Sequence, residues 1–505
     1  MHKRLRLAVI MAASVLISAC GGAPESSGDK DSLVVAQMAD AKTLDPHATN
    51  DQTSSRVTAQ LFSQLVEIDH DMNIIPGLAK SWEQVDDYAT VFHLREGVKF
   101  HNGEEMKASD VKFSFDRMMA SPSVAHIVGA LDRVEIIDEY TVKIVTKYPF
   151  GPLLYHLAHT SSSILSEKAV KKEGDNFGQH PVGTGPFKID SWAAGDRIVL
   201  AAFDDYYGGK QDVEKVVFRN VPEGTNRAIG LETGEIDIAY DISAIDKDVV
   251  RNDKRLALAE EESLSQAYVG FNVNKAPFNN VKVRQAVAYA LNPNDVIDAV
   301  LLGSGIPSNS PIGPKVFGYN PNAKQYHQNL EKARELLKEA GYPNGFKTSI
   351  WMNDTPGSIQ TAQVLQAQLR KVGIDMAIEV TEWGAFLDGT SRGEHEMFMM
   401  GWVSVTGDAD YGLYALFSSK THGGAGNRSF YSNPVVDELL IKARQSTDQQ
   451  QRQKLYAELQ NVLQEEVPII SLYYQYYNAG MQKNVEGFSL LPTGHYKIRG
   501  VHFSS

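Results

Sequence analysis

Three features predict an α/β chain, with mixed α+β lobes in which helices cover sheets. Segments with a two-residue apolar alternation interleave with helical segments from near residue 33 to the end. At 505 residues the chain exceeds what one hydrophobic core organises, so two or more units are expected. With 43% hydrophobic and 22% charged residues, no fixed-period repeat and no coiled-coil heptads, it fits neither a fibrous nor a disordered class.

The N-terminus has its own logic. Lys3, Arg4 and Arg6 form a basic start, and the apolar run Leu7 to Ile17 follows. That run is too short for the ~30 Å hydrocarbon core of a bilayer, which takes about 20 residues. Small residues Ser18 and Ala19 then precede Cys20, so residues 1–19 are expected to be a signal peptide. Ile17-Ser18-Ala19-Cys20 resembles a bacterial lipobox, which implies diacylation of the Cys20 thiol and cleavage before it. Two acyl chains anchor a protein stably where one does not. Residues 20–30 form a polar, Gly/Ser-containing stretch and are expected to be the lipidated cysteine and a flexible tether. Cys20 is the one cysteine of the chain, so an internal disulfide is excluded. No later stretch is apolar enough to span a membrane. The body is therefore expected outside the cytoplasm, held to a bacterial membrane by lipid.

Along the body, Leu33 to Ala36 predicts a strand. Phe92 to Arg95 and Val98 to His101 flank Glu96-Gly97 and suggest a two-residue hairpin. Ser109-Asp110 opens an amphipathic helix through Val111, Phe115 and Met118. Arg133 to Val145, Ile198 to Leu200 and Val216 to Phe218 alternate like strands, and Gly224 to Thr233 reads as a helix. Val283 to Leu291 is helical up to Asn292-Pro293, where proline halts helical bonding. Asn329 caps Leu330 to Ala340, with Gly341 as the stop. Ile359 to Val372 is a helix followed by the strand Met376 to Val380. Thr447 and Gln450 have capping-box spacing ahead of a long helix to Glu466, and Pro468 to Tyr473 is a buried strand.

Composition and motifs narrow the function. A formal net charge of −13 disfavours nucleic acid, whose binders neutralise phosphates with Lys and Arg. The chain lacks a Gly-x-Ser-x-Gly elbow, a Walker loop and His-Glu-x-x-His; after His395-Glu396 the fifth position is Met399. Gly183-Thr184-Gly185-Pro186 lacks the third glycine of a dinucleotide fingerprint. In the expected hairpin His93 and His101 point to opposite faces, so they cannot share an ion. No catalytic residue, metal ligand or cofactor is assigned.

Other motifs are more telling. Ala79-Lys80-Ser81-Trp82, Phe92 to Gly103 (Phe-His-Leu-Arg-Glu-Gly-Val-Lys-Phe-His-Asn-Gly) and Ala108-Ser109-Asp110-Val111 come first. Pro181 to Phe187, Gly234-Glu235-Ile236-Asp237, Phe271-Asn272-Val273-Asn274 and Val283-Arg284-Gln285-Ala286 follow, then Ala340-Gly341-Tyr342, Glu382-Trp383 and Gly401-Trp402. In this order they resemble the peptide/nickel class (family 5) of extracytoplasmic solute-binding proteins that serve ABC importers. The resemblance implies a periplasmic-binding-protein-like fold of the dipeptide/oligopeptide-binding type, with two lobes and two crossings. Carried over, lobe one spans 31–272 plus 480–505 and includes an extra subdomain at 75–183. Lobe two spans 277–478, and the crossings fall near Phe271 to Pro277 and Tyr477 to Gln482. The implied partners are a small peptide or glutathione-like ligand, the membrane permease subunits and, through the lipid anchor, the membrane; the protein is expected to be a monomer.

The same resemblance locates a cleft lined by Thr43 to Thr53, Trp383 to Phe386 and Gly401 to Asp410. It nominates Asp51, Gln52, Thr53, Trp383, Gly401, Trp402, Val405, Asp408 and Asp410 as ligand-binding residues. The dipeptide-binding branch uses an arginine for the carboxylate and an aspartate for the amine. Ungapped alignment places these at Met352 and Val405, so both anchors are missing. The run Thr406-Gly407-Asp408-Ala409-Asp410 resembles the glutathione-binding branch and some oligopeptide binders, with Asp408 or Asp410 to receive an amine. Arg392 and Arg428 are candidate carboxylate partners, and His422 could meet a metal chelate, as in nickel-binding relatives. The alternatives are therefore a binder of a nickel or other metal chelate or non-peptide solute, or a secreted enzyme reusing the fold.

Overall fold

The computed structural model describes residues 31–49 and 51–504. The expected signal peptide, Cys20 and the tether lie outside the described residues. The chain opens with β1 (Ser32–Gln37), whose Leu33 and Val35 are fully buried, and α1 (Gln52–Leu61). A short hairpin, β2 (Val66–Ile68) and β3 (Ile74–Pro76), leads into a four-stranded antiparallel sheet. Its strands are β4 (Ala79–Asp86), β5 (Ala89–Leu94), β6 (Leu131–Asp138) and β7 (Thr141–Thr146), in the order β4-β5-β7-β6. Helix α2 (Ala108–Met119) covers this sheet with Val111, Phe115 and Met118, which i, i+4, i+7 spacing puts on one face. Helices α3 (Leu153–Leu157) and α4 (Glu167–Glu173) follow.

Strands β8 (Phe187–Ala193), β9 (Arg197–Ala202), β10 (Lys215–Asn220) and β11 (Ile238–Tyr240) assemble beside β1, with α5 (Gly224–Thr233) and α6 (Lys247–Asn252) packed near them. Next comes β12 (Leu256–Phe271), which leads into α7 (Val281–Ala290), α8 (Pro293–Ala299), β13 (Gly305–Pro307) and α9 (Leu330–Glu339). Then β14 (Lys347–Asn353), α10 (Pro356–Arg370), β15 (Asp375–Thr381), α11 (Trp383–Ser391) and β16 (Met397–Val403) build the sheet of the second lobe. Helices α12 (Ala409–Phe417), α13 (Pro434–Gln445) and α14 (Gln449–Glu466) precede β17 (Ile469–Gln482). Four two-residue strands close the chain: β18 (Val485–Glu486), β19 (Ser489–Leu490), β20 (Tyr496–Lys497) and β21 (His502–Phe503).

The largest sheet runs β15-β14-β16-β12-β17-β11-β1-β10-β9-β8, with β13 on β17. It joins the two lobes. The early half of β12 pairs with the late half of β17, from Leu256 opposite Gln482 to Glu262 opposite Tyr476. Pairing then breaks and resumes with Gln266 opposite Tyr474, continuing to Gly270 opposite Ile469. Each side of the break has its own apolar core. One gathers Leu33, Val57, Phe187, Ile238 and Tyr496; the other gathers Val269, Val287, Leu337, Ile350 and Leu472. The four-stranded sheet and α2 enclose a third, around Phe92, Phe115 and Ile144.

Three local expectations are corrected. The hairpin across Glu96-Gly97 does not form, because β4 and β7 already occupy both edges of β5: His93 sits opposite Ser81 and Thr141. Lys99 instead bridges Glu105, and His101 leaves the sheet to bond the Gly183 N–H (3.2 Å) and the Gly185 carbonyl (3.1 Å). Pro293 does not only end a helix; it occupies the first turn of α8 behind the Asn292 cap. The long helix α14 is capped by Asp448, which accepts the Gln450 and Gln451 N–H groups, and not by Thr447.

The Gly183 to Pro186 turn fixes α1. A Cβ at Gly183 would overlap the Leu61 carbonyl oxygen at the end of that helix, so only glycine allows this approach. The His101 ring, hydrogen-bonded to the same turn, holds it from the other side. The end of α1 placed in this way lines a cavity through Ala59 and Gln60.

Candidate ligand site between the lobes

A cavity of about 100 Å³ lies where three parts of the molecule meet. The end of α1 and the segment after it contribute Gln60, Phe62 and Glu67. His159 comes from the loop after α3, His495 and Lys497 from the C-terminal hairpin, and Val405 from the loop after β16. Arg56 fastens the hairpin to α1. Its guanidinium grips Asp241 with two bonds (2.7 and 3.1 Å), donates to the Gly494 carbonyl (3.1 Å) and lies 4.6 Å from the centre of the Tyr496 ring. Gln60 donates to the Tyr496 carbonyl at 2.8 Å.

The polar groups of the cavity are held in defined states. His159 Nδ1 accepts the Ser161 N–H at 3.1 Å, so its neutral ring carries the proton on Nε2. Burial, reinforced by His495, His156 and His126, pushes His159 down to about 3, so the ring is neutral at physiological pH. His495 contacts Ser55 Oγ (2.9 Å) and Thr493 Oγ1 (3.1 Å), and burial pushes it down to about 4. Lys497 donates to the Ile68 carbonyl at 3.1 Å and lies 3.7 Å from Glu67, which also holds Arg499 at 3.0 Å. Burial lowers Lys497 from its ordinary value.

A second hollow of about 200 Å³ lies on lobe two, lined by Asn353, Ser358, Trp383, Met400, Gly401 and Gln475. Asn353 ends β14, which runs parallel to both β15 and β16; such strand ends are where α/β sheets bind ligands.

The nine nominated residues divide. Val405 lines the cavity, and Trp383 and Gly401 line the hollow. Trp383 is 47% exposed and stacks on Phe386 at 5.6 Å. Trp402 is partly buried against Tyr411, and its Nε1 has no hydrogen-bond partner among the described residues. Gln52 is exposed and Thr53 half-buried at the start of α1. Asp51 is the N-cap of that helix: its carboxylate accepts the Ser54 N–H and the hydroxyls of Ser54 and Thr49.

Asp408 and Asp410 face inward. Arg452 Nη2 donates to Asp408 at 2.7 Å with both side chains fully buried, and Arg444 grips Asp410 with two bonds of 2.8 Å. Asp408 also caps α12 by accepting the Asp410 N–H. Both carboxylates have guanidinium partners inside the fold, so neither is offered as a free charge to a ligand amine.

The remaining candidates also have partners within the fold. Arg392 pairs with Asp388 and Glu394 on the surface, buried Arg428 donates to Thr390 Oγ1, and His422 Nε2 contacts the Tyr431 carbonyl. Met352 is fully buried in the lobe-two core, and its neighbour Asn353 is the residue that reaches the hollow, as strand alternation requires. Among the described residues no three His, Cys, Asp or Glu side chains could hold a metal ion. The cavity residues His159, His495 and Lys497 were not anticipated. They lie in separate segments of the chain with no shared local motif.

Two α/β lobes joined by a pair of crossing strands, with a cavity at their junction, define a hinged solute-binding protein. The chain belongs to the bacterial extracellular solute-binding proteins of family 5, whose middle-region family model matches residues 73–424. It is 33% identical to the glutathione-binding protein GsiB of Escherichia coli (strain K12), over 97% of this chain and 96% of that one. HbpA2 from Haemophilus parasuis is 33% identical with a TM-score of 0.88, over 94% of this chain and 100% of that one. The periplasmic binding protein DppA from Helicobacter pylori, solved in complex with the peptide STSA, is 34% identical with a TM-score of 0.78, over 94% of this chain and 98% of that one. No helix among the described residues is long and apolar enough to cross a membrane.

Two predictions follow from these side chains. Arg452→Met strands a buried carboxylate and is expected to cost about 3–5 kcal/mol in denaturant unfolding, with Asp408→Asn in the same chain recovering much of the loss. The second concerns acid. His47, His101, His395 and His495 are each pushed by burial from 6.5 to about 4. The unfolded chain therefore binds more protons, and stability is complete above 6.5 and falls as the pH drops towards 4. Melting curves across that window, flattened by His395→Gln, check this.

Proposed function

We propose that this protein is the solute-capturing lipoprotein of an ABC importer, receiving an oligopeptide or glutathione-like peptide at the lobe junction and presenting it to the permease. The observation that carries the reading is the make-up of the cavity: lobe one, including the loop after α3, supplies most of the lining and lobe two supplies Val405. A solute touching both lobes binds the closed arrangement better than the open one, and that difference alone shifts the population. The sequence likeness to a glutathione-binding protein and to a peptide-bound periplasmic protein supports a peptide ligand. In this reading the lobes divide where the β12–β17 pairing breaks, and the hinge is Glu262 to Gln266 with Tyr474 to Tyr476. Cys20, diacylated, holds the mature protein at the membrane, and no chemical step occurs on the bound solute.

Thermal unfolding with reduced glutathione, a mixed oligopeptide pool and nickel-histidine tests the ligand. Glutathione or a peptide at 100 times its Kd is expected to add about 2.7 kcal/mol. Stabilisation by nickel-histidine alone would replace the peptide reading with a chelate. For the anchor, mass spectrometry of the membrane-extracted protein is expected to show a diacylated N-terminal cysteine, and Cys20→Ser to release the protein from the membrane. An unmodified Cys20 in the mature chain contradicts it.

A further inference from the structure

We infer that the cavity selects solutes bearing a free carboxylate, received by the Nε2–H of His159 and the ammonium of Lys497; this rests on the peptide-receptor reading above. The first support is the charge inventory. Among the described residues Glu67 is the one acidic side chain lining the cavity, against Lys497 and Arg499, so the wall has a cation in excess. Arg499 takes Glu67 at 3.0 Å, whereas Lys497 stands off at 3.7 Å and spends one of its three donors on the Ile68 carbonyl. Asp69 is nearby and half-buried, and its carboxylate is engaged by the N–H groups of Asp71 and Asn73.

The second support is His159. With Nδ1 occupied by the Ser161 N–H, the neutral ring can only donate from Nε2, and no hydrogen bond joins Nε2 to another described residue. A donor held in one tautomer beside an excess cation suits a carboxylate, an acceptor-only group. The third is the absence of a counter-site for an amine. Val405 lines the cavity where the dipeptide-binding branch has aspartate, and Asp408 and Asp410 are bound to Arg452 and Arg444. The cavity therefore favours the acidic end of a peptide over its amino end.

Calorimetric titration separates this inference from the reading beneath it. The probes are glutathione, glutathione amidated at either carboxylate, trialanine and trialanine amide. In the unaltered protein, amidation of one carboxylate is expected to weaken binding at least tenfold. In Lys497→Met, and in His159→Asn, which keeps an acceptor for the Ser161 N–H but loses the Nε2 donor, the acid form falls towards its amide and that difference shrinks. Because the acid-against-amide comparison needs no mutation, a variant that misfolds does not decide the matter. Equal binding of acids and amides overturns the carboxylate site and leaves the peptide receptor standing. An acid preference that neither variant alters overturns the assignment to His159 and Lys497. Failure of every probe to bind removes the peptide reading and this inference together.

Discussion

The paired strands β12 and β17 are the centre of the sheet that joins the lobes. They are hydrogen-bonded to each other on both sides of the irregularity between Glu262 and Gln266, with a second register shift between Ala267 and Tyr268, and on the proposed division of the lobes a rotation bends both strands at the first of these. The ligand wall follows directly. Ser265 of β12 lies opposite Val403 of β16, and the Ser404 N–H donates to the Leu264 carbonyl. The loop carrying Val405 is thus bonded to the crossing itself. On the other side of the cavity, the Leu264 N–H donates to the Pro492 carbonyl, which ties the segment before His495 to the same strand. A bend at this point moves the cavity walls relative to each other, whereas the cores on either side stay packed.

Buried arginines secure the pieces that flank this hinge. Arg56 joins α1 to the C-terminal hairpin through Asp241 and the Gly494 carbonyl, and Arg444 and Arg452 fix the loop before α12 through Asp410 and Asp408. Buried ion pairs add little net stability over apolar packing, because desolvation offsets most of the attraction. Their contribution here is geometric: each guanidinium spans segments distant in sequence and sets one register for them. The same pairing occupies Asp241, Asp408 and Asp410 within the fold, and among the described residues none of the three lines the cavity.

Much of this fold was legible in the residues. Gly224 to Thr233 and Leu330 to Glu339 fall where periodicity and caps place them, because local spacing alone decides a helix. Strand partners were another matter. Phe92 to Arg95 and Val98 to His101 have the right turn for a hairpin, but alternation says nothing about which strand takes an edge, and β4 and β7 hold both edges of β5. The site was legible only in part. Trp383, Gly401 and Val405 follow from family position, whereas His159 and Lys497 meet only after the chain has folded. Asp408 and Asp410 looked available for the converse reason: their arginine partners lie 44 and 34 positions away and leave no local trace.

The contact between the β2–β3 hairpin and lobe two shows why a bound solute can govern closure. Met72, at the hairpin tip with a left-handed φ of 64°, is buried against the loop that carries Val405. Gly407 in that loop has a φ of 77°, and a Cβ there would collide with the Met72 methyl, so the approach requires glycine. Tyr155 stacks on Phe317 across the same seam with ring centres 6.0 Å apart. The Gly151 N–H donates to the Arg444 carbonyl at 2.9 Å, and the His156 ring lies 6.5 Å from that of Tyr411, so the seam also includes the segment around α3. On the proposed reading, a solute bridging His159, Lys497 and Val405 adds contacts that exist only when the seam is made. Shifting a two-state equilibrium from 1:99 to 99:1 takes about 5.5 kcal/mol of differential binding. Charge-assisted hydrogen bonds of about 1.5–3 kcal/mol each put that within reach of two or three contacts. A carboxylate on the solute supplies bonds of that kind, so the group that the cavity recognises is also the one best able to close it.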